Sequence, residues 1–308
     1  VDAQWAVQDG FPDHRSPRSI DRYLDDLAIP ILASLTQQHL KENIMTVKRH
    51  LRTLAIAAAF TTAFATIGAN VHAADAKASA KPSVVIVHGA FADGSDWAKV
   101  IPLVQAKGVK VTAVQNPLTS LADDVAAAKR AIETQPGKVV LVGHSWGGTV
   151  ITEAGQHDKV GSLVYVAAFA PDAGKSTAET GEGYPAAPGS KRFVADKEGF
   201  LSLPEAAMRE DFAQDVPAAQ AAVMTATQGP IQAKAFSDKV TNAAWNGKPS
   251  WFIVSARDRM IDPGLQRAMA KKIGAKVTDL PASHVPQQSR PADVAKVILD
   301  AVAATGAN

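Results

Sequence analysis

From residue 83 onward the apolar positions of this chain fall into two alternating kinds of segment. Short unbroken runs of mostly β-branched residues, Val84-Val85-Ile86-Val87 and Val139-Val140-Leu141-Val142 the clearest, have the character of strands buried on both faces. Longer segments between them repeat apolar residues at helical spacing. The pattern predicts strands over 84–88, 109–114, 138–142, 162–166, 250–255 and 276–280. It predicts helices over 97–107, 119–134, directly after residue 145, and over 263–273 and 291–303. Such alternation builds a parallel sheet covered by helices on both faces, here of six strands. No segment just before Val84 qualifies as an opening antiparallel pair.

The alternation is interrupted between about 170 and 247. That stretch begins loosely, with several prolines and glycines, then shows helical runs over Pro204–Ala213, Pro217–Thr227 and Pro230–Val240, each opened by proline. Inserted between two strands, it reads as a small helical cap. Phe193, Phe200, Leu201, Met208, Phe212 and Met224 either line a pocket beneath the cap or pack it onto the sheet; Phe193 and Phe212, with Phe91, are the expected substrate contacts.

Chemistry enters at Gly143-His144-Ser145-Trp146-Gly147-Gly148, where a strand runs directly into a helix. A turn that tight requires nearly bare positions two before and two after the serine, and Gly143 and Gly147 supply them. Ser145 is thereby held at the carboxyl end of the sheet, over a helix N-terminus that favours an anion. A serine hydroxyl needs a base, and the base needs an orienting acid. Asp258 follows the strand 250–255; Asp262, just before Pro263, suits a helix N-cap better. His284 lies in the loop after the last strand, which completes the order Ser, Asp, His. His144 and His88 suit structural roles, and His157 lies too far along the elbow helix to serve as base. The oxyanion donors expected are the backbone N–H groups of Trp146 and Ala90, with Phe91 the alternative to Ala90.

These features resemble the α/β-hydrolase superfamily. More narrowly, His88-Gly89-Ala90 with Trp97, the elbow at Ser145, Asp258-Arg259 with Ile261-Asp262-Pro263, and Ser283-His284 resemble its small cofactor-independent branch of methyl-ester esterases, hydroxynitrile lyases and bacterial esterases. The resemblance implies an α/β-hydrolase fold and a serine carboxylester hydrolase acting on small esters through an acyl-enzyme. A hydroxynitrile-lyase-type activity and a non-catalytic ligand-binding relative are the alternatives. In the lyases resembled, a threonine and a lysine stand where this chain has Gly89 and Val285, which favours hydrolysis.

Composition narrows the picture further. The 308 residues include no cysteine and carry a net charge of +2, which excludes a thiolate nucleophile or thiolate metal site and gives no electrostatic reason to expect nucleic acid. No nucleotide-binding glycine loop and no zinc-hydrolase histidine spacing is present, so no cofactor or metal is expected. Met45 to Arg52 is basic, Leu54 to Ile67 apolar and too short to span a bilayer, and Val71-His72-Ala73 is a small-residue cleavage pattern. Residues 45–73 therefore read as a signal peptide directing export to the periplasm or beyond, leaving no membrane span in the mature form. Residues 1–44 read as a non-native upstream extension, 74–82 as a linker, and 83–308 as the folded domain. No segment specifies an oligomeric state.

Overall fold

The computed structural model describes residues 81–307. The expected upstream extension, the signal peptide and nearly all of the linker lie outside the described residues. In chain order the strands are β1 (Ser83–Val87), β2 (Val111–Ala113), β3 (Val139–His144), β4 (Val160–Val166), β5 (Val194–Ala195), β6 (Phe200–Ser202), β7 (Ile231–Gln232), β8 (Ser250–Ser255) and β9 (Lys276–Leu280). The main helices are α1 (Ile101–Gln105), α2 (Leu121–Glu133), α3 (Trp146–Ala154), α4 (Ala218–Thr227), α5 (Pro263–Lys272) and α6 (Pro291–Gly306).

Six strands form one sheet in the order β2-β1-β3-β4-β8-β9, every neighbouring pair parallel. The unbroken apolar runs follow from what covers the two faces. Val85, Val87, Leu141, Tyr165 and Phe252 point to one side, into a core shared with α2, α3 and the cap. Val84, Ile86, Val140, Val142, Val164 and Ile253 point to the other, against Trp97 and α6. Successive residues of a strand face opposite ways, so a strand buried on both sides is apolar at nearly every position. Each such side chain contributes roughly 1.5–3 kcal/mol on burial.

Two expectations are corrected. The helix expected over 97–107 is a 3-10 turn at Gly94–Trp97 followed by the shorter α1, with Pro102 in its first turn. The cap, reached from β4 and left into β8, is helical only in part. It has α4 and a helical stretch from Glu205 to Phe212, but also a small antiparallel sheet, β5-β6-β7. The helix expected over Pro230–Val240 is replaced by β7 and a 3-10 turn. Its backbone amides are drawn elsewhere: Gln232 N–H donates to the Leu118 carbonyl at 2.8 Å and Ala233 N–H to that of Gly199 at 3.0 Å. No helix among the described residues is long and apolar enough to cross a membrane.

Candidate active site

The turn between β3 and α3 is forced by its glycines. A Cβ on Gly143 would sit 2.5 Å from the Gly147 carbonyl oxygen, and one on Gly147 would sit 2.5 Å from the Val87 carbonyl oxygen. Ser145 takes φ 52° and ψ −120°, a backbone state that costs a non-glycine residue of order 1–3 kcal/mol. That strain lifts its hydroxyl out of the sheet and into a cavity, where it is 8% exposed.

Ser145, His284 and Asp258 are brought together although up to 139 residues separate them. Ser145 Oγ lies 2.8 Å from His284 Nε2, and His284 Nδ1 lies 2.8 Å from Asp258 Oδ2. Asp258 needs no proton to satisfy its oxygens. Its Oδ1 accepts from the N–H groups of Met260 (2.7 Å) and Ile261 (3.0 Å), and its Oδ2 also accepts from Gln266 Nε2 at 2.7 Å. A carboxylate held by that many donors is fixed in orientation. Asp262 instead caps α5, accepting from Leu265 N–H at 2.9 Å.

The loop after β1 passes directly beneath the serine. A Cβ on Gly89 would meet Ser145 Cβ at 2.8 Å. Phe91, at φ 60°, donates its N–H to the Gly229 carbonyl of the cap at 3.2 Å. That occupies the alternative oxyanion donor, whereas Ala90 N–H makes no hydrogen bond among the described residues. Trp146 N–H opens α3, where the first amides have no carbonyl partner within the helix.

Two histidines frame the arrangement without joining it. His144 Nε2 donates to the His284 carbonyl at 2.8 Å, and burial holds its pKa well below the usual value. His88 Nε2 accepts from Asn116 N–H at 2.9 Å while its Nδ1 donates to the Gly89 carbonyl at 2.8 Å, and burial again lowers its pKa. Both rings are neutral braces.

Sequence reasoning missed Asp124. This fully buried carboxylate accepts from the indole Nε1 of Trp146 at 2.7 Å and from Leu118 N–H at 2.8 Å. Burial raises its pKa to about 6 despite those donors. A signal was present: Asp124 interrupts the apolar stripe Leu121, Val125, Ala128 and Ile132 of α2.

The cavity above Ser145 has a volume of about 420 Å³. Its walls are mainly aromatic and aliphatic. Phe91, Phe193 and Phe212 line it as expected, joined by Phe169, Phe236 and Leu265, which the sequence reading did not single out. The rings of Phe91 and Phe193 lie 5.0 Å apart, and Phe212 meets His284 edge-on at 5.0 Å. Phe200, Leu201, Met208 and Met224 do not line it; Met208 is wholly buried in the packing of the cap. Glu182 and Asp262 are the acidic residues on the lining, and no lysine or arginine lines it among the described residues.

Comparison with known proteins places the chain. The pyrethroid hydrolase of Sphingobium wenxiniae is 27% identical over 260 residues, covering 70% of this chain and 86% of that one. Methylesterase 2 of Arabidopsis thaliana is 34% identical over 108 residues, covering 30% and 41%. The crystal structure of a pyrethroid hydrolase from Sphingobium faniae superposes with a TM-score of 0.61 at 22% identity, covering 72% of this chain and 98% of the other. The model of the alpha/beta hydrolase family matches residues 84–297, well over half of the sequence, and the chain belongs to that family.

Proposed function

We propose that this protein is a serine carboxylester hydrolase acting on small, uncharged esters through an acyl-enzyme. The observation that carries the reading is the unbroken chain of two 2.8 Å contacts from Ser145 Oγ through the His284 ring to Asp258. Ser145 Oγ attacks the ester carbonyl carbon as His284 Nε2 takes its proton. The oxyanion so formed lies against the N–H groups of Trp146 and Ala90, each contributing about 3 kcal/mol of barrier lowering. Collapse expels the alcohol, which takes the proton from His284. Water then adds to the acyl carbon with His284 again as base, and the acid leaves with Ser145 restored. Asp258 keeps the imidazole in the tautomer this needs and stabilises its charged form.

The apolar cavity supports an apolar substrate, and relatives named as a pyrethroid hydrolase and methylesterases support ester chemistry. Cyanohydrin cleavage finds less support, since position 89 has no room for a side chain and Val285 is buried and uncharged. Hydrolysis of p-nitrophenyl esters from acetate to decanoate tests the reading. The parent turns them over with an optimum chain length, and Ser145→Ala lowers kcat by roughly 10⁴-fold or more; equal rates in the two proteins refute it. Export through a signal peptide at 45–73 is part of the proposal, and N-terminal sequencing of the exported protein checks it.

A further inference from the structure

Asp96, in the 3-10 turn after the oxyanion loop, is a buried carboxylate that the mechanism above does not use. Its Oδ2 accepts from Gln287 Nε2 at 2.5 Å and its Oδ1 from Gln288 Nε2 at 2.8 Å. Gln288 Nε2 also reaches the Asp96 carbonyl at 2.7 Å. The two glutamines are the third and fourth residues after His284, so Asp96 holds the segment that carries the imidazole. The grip extends to the cap. Gln288 pairs with Gln220 of α4, and Lys99 Nζ joins Gln220 Oε1 (2.8 Å) to the Gln288 carbonyl (3.0 Å).

We propose that Asp96 is a positioning residue for His284: it fixes the His284 segment through Gln287 and Gln288 and adds a negative charge behind the imidazolium formed in the reaction. This rests on the assignment of His284 as the base. Both Asp96 oxygens accept from amide donors, the arrangement a carboxylate takes without a proton. Burial opposes that charge and raises the Asp96 pKa, while the hydrogen bonds from Gln287 and Gln288, and then the nearby His284, draw it back down. The other groups facing His284 are few. Asp258 comes from the loop after β8, the neutral His144 ring from the elbow at 4.8 Å, and Asp215 from the cap, accepting from Ser283 N–H at 2.8 Å. Asp93 lies near Asp96, with Lys99 on the solvent side.

One detail makes the charge separable from the grip. Gln287 Oε1 is buried with no partner. In Asp96→Asn, rotating the Gln287 amide by half a turn offers that oxygen to the new Nδ2–H, so both links persist without the charge. The test uses the full chain, reading the His284 titration by ¹⁵N NMR and the rate of Ser145 phosphonylation by a p-nitrophenyl alkylphosphonate across pH. Asp96→Asn is expected to move the His284 titration to lower pH, move the acid limb of phosphonylation with it, and slow the plateau severalfold while leaving the urea midpoint near the parent's. Asp96→Ala, which loses the grip as well, is slower still. An Asn variant with unchanged His284 titration and unchanged phosphonylation overturns the proposal. If His284 shifts but the parent neither reacts with the phosphonate nor hydrolyses esters, the functional reading falls while the coupling of Asp96 to His284 stands.

Discussion

Asp124 offers a quantitative test of how the elbow is held. Its carboxylate sits under the Trp146 indole, fully buried, and its pKa rises from 3.8 to about 6. In the unfolded chain it ionises near the ordinary value. At low pH both states are protonated and the group is neutral toward folding. As pH rises through 4 to 6 the unfolded state gives up its proton more readily than the folded one, so stability falls. Above 6 the loss is complete. A displacement of about two pH units at about 1.4 kcal/mol each puts it at ~3 kcal/mol, of which ~2 kcal/mol falls between about pH 4.5 and pH 7.5. Asp124→Asn removes the titration. The asparagine presents an NH₂ to one of two donors, Leu118 N–H or the indole, which adds a constant offset. That offset does not vary with pH, so the informative quantity is the parent-minus-variant difference in unfolding free energy. Urea unfolding followed by far-UV circular dichroism across that range measures it. A decline of ~2 kcal/mol in the difference is expected, with the variant gaining on the parent as pH rises. A difference flat to within about 0.5 kcal/mol would refute the assignment of a buried, reluctantly ionised Asp124.

Gly89→Ala pushes a methyl to within 2.8 Å of Ser145 Cβ; kcat/KM for a p-nitrophenyl ester is expected to fall by roughly 10²-fold, and an unchanged value would mean that the loop yields freely. Gln266→Leu strips one donor from Asp258 and leaves the buried Ser255 N–H without its Oε1 acceptor at 3.0 Å. A loss of about 1–3 kcal/mol in urea unfolding should accompany a lower kcat, and kcat within twofold of the parent would exclude Gln266 from orienting the acid. Phe193→Ala opens the wall facing Phe91, so the optimum acyl chain of the ester series should lengthen.

What could be read from the sequence was what the chain determines locally or by alternation. The elbow is local: two glycines flank one serine because the turn has no space for side chains. Asp258 and His284 were legible because parallel strands all present their carboxyl ends to one edge, so residues just beyond β8 and β9 must meet near Ser145. The braces were not legible. Asp124 reaches Trp146 across 22 residues and Asp96 reaches Gln288 across 192, and neither spacing is encoded in a motif. The cap defeated pattern reading for a different reason. Strands of two or three residues carry too few alternations to register a period, and β7 exists because Gln232 and Ala233 find carbonyls outside their own segment. Phe169 and Phe236 were missed as walls because their direction depends on how the cap is seated.

The charges around the cavity bear on what happens after catalysis. An ester enters without charge and can shed its hydration against the phenylalanine walls. On the proposed chemistry the acid fragment ionises as it forms, beside a lining that holds Glu182 and Asp262 and, among the described residues, offers no lysine or arginine to receive it. The product thus becomes a poor ligand at the moment it is made, because an unpaired carboxylate in apolar surroundings is strongly disfavoured. Expulsion into water is downhill, and the return of the acid to Ser145 is opposed by the same field. On that chemistry the lining favours release of the acid over its retention, as much through the cation it lacks among the described residues as through the groups that react.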